Sequence, residues 1–175
     1  PTLFGFCKLV LYLCKMDRFF TTKEGIKVDV IDHTLEQIKA FPNLKMYAGT
    51  DAQDYGSITR FATVIVYRYN TRGAHFVYFK EEVKRMNMFQ RLWSEGQRTI
   101  EAASMIMEEL PVAFAAVEFD YNNIPKWASH KLVKDIGGWA QGLNMRAVFK
   151  NNGEGDCMIA TKAGDQICRH PCLYK

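Results

Sequence analysis

The spacing of apolar positions changes several times along this chain, and each change marks an element. Ile31, Leu35, Ile38 and Phe41 recur at helical spacing, Asp29 or Asp32 stands where a cap is needed, and Pro42 ends the run. A leading helix is therefore predicted over residues 31–41. Leu44 to Thr50 reads as a buried strand running into Asp51. Ile58 to Tyr69 and Ala74 to Phe79 are β-branched and aromatic, and Asn70-Thr71-Arg72-Gly73 between them is hairpin chemistry. These three strands form an antiparallel meander.

A long helix follows from about Met88 to Leu110 and is stopped by Pro111. Its apolar stripe is Phe89, Leu92, Trp93, Gly96, Ile100, Ala103, Ile106, Met107 and Leu110. Val112 to Asp120 is a continuous apolar run, the mark of a central strand covered on both faces. A helix from about Pro125 to Gly142 carries Leu132, Ile136, Trp139 and Leu143 on one side. Arg146 to Lys150 is a short strand, Asn151 to Asp156 a polar Gly-rich loop, and a last helix reaches about Cys168. Three antiparallel strands followed by α/β crossovers make an α/β fold, a mixed five-stranded sheet with helices on both faces.

The first residues break this pattern. Leu3 to Cys14 is apolar apart from Lys8, shorter than the ~20 residues of a membrane span and without the basic leader or cleavage site of a secretory signal. Residues 1–15 are read as an extension of uncertain role, and residues 16–175 as a single domain starting near Met16, its core over about 44–169. A short membrane-associating or partner-binding helix is the other reading of the extension.

Composition narrows the class. Of 175 residues, 48% are hydrophobic and 24% charged, which excludes disorder as the main state. Lys and Arg number 23 against 19 Asp and Glu, a net charge of +4 that permits a polyanionic partner. Five cysteines, an odd number, do not make a disulfide scaffold, so reduced thiols in the cytoplasm are expected.

Two carboxylates fall at predicted strand ends, Asp51 in Gly49-Thr50-Asp51-Ala52-Gln53 and Asp120 in Glu118-Phe119-Asp120-Tyr121. If those strands are neighbours, both emerge where α/β sheets place ligands. Paired carboxylates repel unless a cation lies between them, and hard oxygen ligands suit Mg²⁺ or Mn²⁺. The long helix offers a third. At about 100° per residue, Glu95 lies on the border of the stripe, while Glu101, Glu108 and Glu109 turn to solvent. No Ser/His/Asp arrangement competes, and His33, His75 and His130 read as ordinary structural or surface residues. Lys84, Arg91 and Arg98 recur beside the Glu95 edge, and Lys126, Lys131 and Lys134 follow Asp120. Each set is a solvated face or a phosphate-binding one. Cys168-Arg169-His170-Pro171-Cys172 lacks a second pair at zinc spacing, with Cys157 eleven residues away. Gly153-Glu154-Gly155 is too short to cradle a phosphate.

A strand ending in Gly-Thr-Asp-x-Gln, a meander, a helix carrying Glu, a strand ending in Asp and a last helix carrying Asp resemble the ribonuclease H-like plan. Within it the chain is most similar to the RNase H-related nuclease branch typified by YkuK, over about Leu44 to Arg169. The sharpest segments are Gly49-Thr50-Asp51-Ala52-Gln53 and Ala160-Thr161-Lys162-Ala163-Gly164-Asp165. The resemblance implies sheet order 3-2-1-4-5 with strand 2 antiparallel, and a catalytic, metal-binding set of Asp51, Glu95, Asp120 and Asp165. It implies a two-metal-ion nuclease using Mg²⁺ or Mn²⁺ on RNA, an RNA–DNA hybrid or DNA, with Lys84, Arg91, Arg98, Lys131 and Lys134 touching nucleic acid and no organic cofactor. Asp165 lies opposite the apolar stripe Ile159, Ala160, Ala163 and Ile167, so Asp156, nearer that stripe, is the alternative fourth ligand. The competing function is a catalytically inactive nucleic-acid-binding or assembly module. A sugar-kinase or actin-like ATPase would need two such domains.

Overall fold

The computed structural model describes residues 16–70, 73–122, 124–150 and 158–169. The described residues open with an edge hairpin, β1 (Phe19–Thr22) and β2 (Lys27–Asp29), turned at Gly25 in the left-handed region (φ 85°). Asp29 then caps α1 (Val30–Ala40) by accepting hydrogen bonds from the backbone N–H groups of Ile31 and Asp32. The meander is β3 (Lys45–Tyr55), β4 (Ile58–Arg68) and β5 (Ala74–Lys84). Next come α2 (Met88–Glu109), β6 (Ala116–Asn122), α3 (His130–Gly142), β7 (Ala147–Lys150) and α4 (Ile159–Arg169).

The sheet order is β2-β1-β5-β4-β3-β6-β7. β4 is antiparallel to both of its neighbours, whereas β3, β6 and β7 run parallel. The expectation of five strands in the order 3-2-1-4-5 is corrected to seven, because the Phe19–Asp29 hairpin extends the sheet beyond β5. With only two turn-flanking runs of three and four residues, that hairpin leaves little periodic trace.

Strict alternation divides the core. Met46, Ala48, Ile65, Tyr67, Val117, Phe119 and Tyr121 face α1, α2 and α3, while Tyr47, Ala62, Val64, Val66 and Ala116 face Ala160, Ile167 and Cys168 of α4. Gly49 lets α4 close on the sheet, since a Cβ there would stand 2.8 Å from Thr161 N.

Several boundaries move for identifiable reasons. β3 does not end at Asp51 but continues to Tyr55, pairing through Tyr55↔Ile58 around Gly56 (φ 59°). Its last residues are polar because that end of the hairpin is less covered, so no apolar signal marks them. β5 likewise runs past Phe79 to Lys84. β6 begins at Ala116 rather than Val112 and ends at Asn122. α3 begins at His130 rather than Pro125: residues 124–130 form successive turns, and the Ser129 hydroxyl accepts from Asn122 N–H instead of capping the helix. The extension 1–15, the loop 151–156 and the Cys157, His170 and Cys172 positions lie outside the described residues. No helix among the described residues is long and apolar enough to cross a membrane.

Candidate metal centre

The site lies where two parallel strands part. β3 and β6 pair as Tyr47↔Ala116, Ala48↔Val117 and Gly49↔Glu118, and their ladder stops there. Asp51 stands two residues beyond Gly49 and Asp120 two beyond Glu118. With a period of two, both carboxylates therefore point to the α4 face of the sheet. Asp51 is thus a mid-strand residue on the α4 face and not the strand end expected from the sequence.

α4 supplies the next acid. Its buried face is Ala160, Thr161, Gly164, Ile167 and Cys168, rotated from the stripe Ile159, Ala160, Ala163 and Ile167 expected from hydropathy. Thr161 and Gly164 are buried because the helix sits almost on the backbone of β3 and β4. A Cβ on Gly164 would meet Ala62 O at 3.0 Å and Asp51 N at 3.1 Å. That rotation brings Asp165 from the far side of the helix to its half-buried border, close enough for its charge to raise the Asp51 pKa. Asp156 lies outside the described residues.

Glu95 comes from the opposite face. α2 runs antiparallel to β3, with Thr99 Oγ1 donating to Thr50 Oγ1 at 3.0 Å and Arg91 Nη1 to Asp54 Oδ2 at 3.1 Å. Glu95, between those two contacts, is only 6% exposed. Gly96 permits this approach, because a Cβ there would stand 2.6 Å from the Tyr121 hydroxyl. Glu101, expected in solvent, is half-buried and hydrogen-bonded by Gln97 Nε2 at 2.7 Å.

The electrostatics are those of crowded anions. Burial, then the charges of Asp165 and Asp120, push Asp51 up to about 7. Burial, then the charge of Asp51, hold Glu95 well above the usual carboxylate range. Arg91 and Arg169 oppose the rise at Asp51, and Arg91 and Arg98 that at Glu95.

Cations stand against this cluster. Lys150 Nζ lies 3.0 Å from Asp120 Oδ1, Arg169 Nε 2.5 Å from Asp165 Oδ1, and Arg91 Nε 3.7 Å from Glu95 Oε1. That Arg91 Nε is buried without a hydrogen-bond partner. Among the described residues no three Asp, Glu, His or Cys side chains converge closely enough to enclose one ion. The donor set nonetheless fits a hard divalent cation in chemistry: all carboxylate oxygen, partly buried, and carrying repulsion that added positive charge relieves.

The basic residues divide. Arg98 is committed to Glu81 and lies over the Phe61 ring at 4.1 Å, and Arg91 to Asp54. Lys84, Lys131 and Lys134 are exposed, as is Lys126, which rests 5.4 Å from the Trp127 ring centre.

Two acids escaped the sequence reading. Asp54 gathers Arg91, Arg85 at 3.7 Å and the Thr59 hydroxyl at 2.6 Å. Its signal was the spacing Asp51-x-x-Asp54, hidden while the strand was ended at Asp51. Glu118, 2% exposed, accepts hydrogen bonds from Ala160 N at 2.7 Å and Thr161 N at 3.2 Å, and so caps α4 from the sheet. A lone acid inside an apolar run was its signal, since a buried charge demands partners.

The family model described as Ribonuclease H-like matches residues 29–167. No curated protein and no solved structure matches the chain.

Proposed function

The chain belongs to the ribonuclease H-like family, and on that premise we propose that it is a divalent-metal-dependent nuclease hydrolysing phosphodiester bonds of RNA, RNA–DNA hybrid or DNA. Within the family we place it with the YkuK-type branch, on Gly49-Thr50-Asp51-Ala52-Gln53 and Ala160-Thr161-Lys162-Ala163-Gly164-Asp165. The observation that carries the reading is Asp51: a largely buried carboxyl pushed up to about 7 by burial and by the charges of Asp165 and Asp120, its own charge in turn raising Glu95 on the other face. Folding gathers like charge there at a cost, and a bound cation offsets it.

Asp51, Glu95, Asp120 and Asp165 would hold Mg²⁺ or Mn²⁺, with Asp156 as the alternative fourth ligand. Bound there as a pair, such ions would activate a water and neutralise the leaving oxygen. The chain's own residues position the rest. Glu118 fixes α4, and with it Asp165, on the sheet. Arg91, between Asp54 and Glu95, is the cation best placed to exchange a carboxylate for a substrate phosphate. The exposed Lys84, Lys131 and Lys134 would add phosphate contacts, and Arg98 would do so only by leaving Glu81.

Lys150 on Asp120 and Arg169 on Asp165 favour a second reading, an inactive nucleic-acid-binding or assembly module in which protein cations occupy the place of metal. Incubation of purified protein with end-labelled RNA, hybrid and DNA separates the two. The nuclease cuts at least one substrate with Mg²⁺ or Mn²⁺ and none with chelator. Binding without cutting under every metal supports the inactive module.

A further inference from the structure

A second cluster of ligating side chains lies away from the carboxylates. His33 on α1 and His75 on β5 place their Nε2 atoms 3.0 Å apart, with ring centres separated by 5.0 Å. His75 lies opposite Tyr67, which in turn pairs with Met46, five residues along β3 from Asp51. At ~3.4 Å per residue that is roughly 17 Å along the strand, before the two-strand offset is added.

Two neutral imidazoles can meet this way only if one Nε2 carries a proton and the other accepts it. A transition metal offers an alternative to that hydrogen bond. With metal–nitrogen bonds of about 2.05 Å, two ligand nitrogens stand about 3.3 Å apart in tetrahedral geometry and about 2.9 Å apart in cis square-planar geometry. The observed 3.0 Å separation falls between those values.

Burial keeps both rings neutral, the form that can ligate a metal, and the negative charges of Glu36 on His33 and of Glu24, in the β1–β2 turn, on His75 act against that larger effect. Beneath the pair the backbone is held firmly: the Thr34 hydroxyl donates to Val30 O at 2.6 Å and is linked to the buried Tyr67 hydroxyl at 2.7 Å. His33 packs edge-on to the Tyr67 ring at 5.5 Å, and His75 stacks on it at 6.0 Å. Both imidazoles are thus oriented before any ligand arrives.

We propose that His33 and His75 form a two-histidine site for a borderline-soft divalent ion such as Zn²⁺, joining α1 to β5, with water completing the coordination. Binding changes no oxidation state. Each Nε2 donates its lone pair, and the proton on one Nε2 exchanges through solvent to Nδ1 of the same ring.

The test is a titration of the full chain, ¹⁵N-labelled at histidine, with ZnCl₂, followed by long-range ¹H–¹⁵N spectra of the imidazoles. Expected is concerted movement of the His33 and His75 Nε2 signals, ending with both rings protonated at Nδ1 only, and no such change with MgCl₂. In His33→Gln the same Zn²⁺ concentrations should leave His75 unmoved, while the far-ultraviolet circular dichroism matches wild type. Wild-type spectra that stay unchanged through several equivalents of Zn²⁺, or in which only one ring responds, overturn the proposal whatever the variant does. Zinc bound elsewhere, at the carboxylates for instance, would leave both rings unmoved and counts against it equally.

Discussion

Gly164 of α4 lies directly against Asp51 of β3: a Cβ added to the glycine would stand 3.2 Å from the Cβ of the aspartate. This closeness puts Asp165, one residue on, within electrostatic reach of Asp51. The missing side chain in the helix therefore helps to make the site.

Gly164→Ala tests the contact. Alanine gains about 1 kcal/mol in helix propensity over glycine. Its methyl meets the backbone of Ala62 and Asp51 at 3.0 and 3.1 Å, atoms fixed in central strands, and overpacking costs about 1–3 kcal/mol. We expect a net loss of about 1 kcal/mol in urea unfolding, together with weaker Mn²⁺ binding. A more stable variant with unaltered binding would show that α4 does not need this approach.

Glu118→Ala removes the acceptor of two buried N–H groups at the start of α4. Leaving buried donors unsatisfied costs about 1–3 kcal/mol, and Glu118→Gln, which keeps one acceptor oxygen, should lose less. Equal stability of wild type and Glu118→Ala in thermal unfolding would remove Glu118 from the account.

The pH dependence at Asp51 has a definite sign. Its carboxyl rises from 3.8 to about 7 on folding, so between those values the native state binds the extra proton. Metal-free stability should therefore fall as pH rises through that window and level off above it. Asp51→Asn removes the slope and leaves metal-free stability at pH 7 equal to wild type or higher. Unfolding of Asp51→Asn under these conditions would mark Asp51 as a structural residue.

The histidine pair acts the other way. Burial holds both rings below the ordinary 6.5, with the charge of the partner adding to the effect at His33 and the Glu36 and Glu24 carboxylates opposing it. The unfolded chain takes up protons first, so stability should be full above pH 6.5 and drop as pH falls below it. Comparing His33→Gln with wild type isolates this contribution. Parallel pH curves for the two proteins would contradict it.

The sequence made the long helix and the central strands legible because their buried residues are apolar and periodic. Gly96, Ile100, Ala103 and Ile106 are buried as the stripe of α2 requires. Legibility failed where burial is borne by small or polar residues. Thr161 and Gly164 face the sheet, which hydropathy cannot signal, so Asp165 was turned to the wrong side. Polar, half-covered strand ends such as Gln53 to Tyr55 are defined by pairing partners rather than by pattern, so Asp51 was read as a strand terminus. His33 and His75 lie far apart in sequence, and only the pairing of β4 with β5 and the packing of α1 bring them together.

Acids from both faces of the sheet are proposed to serve one cation site at the parting of β3 and β6. The decisive measurement is a Mn²⁺-soaked crystal mapped at a wavelength where manganese scatters anomalously. The expected result is a peak bonded to Asp51 and Asp120, with Glu95 or Asp165 in its shell and Lys150 withdrawn from Asp120. A crystal saturated with Mn²⁺ that shows its peaks elsewhere, with Asp120 still held by Lys150, would contradict it.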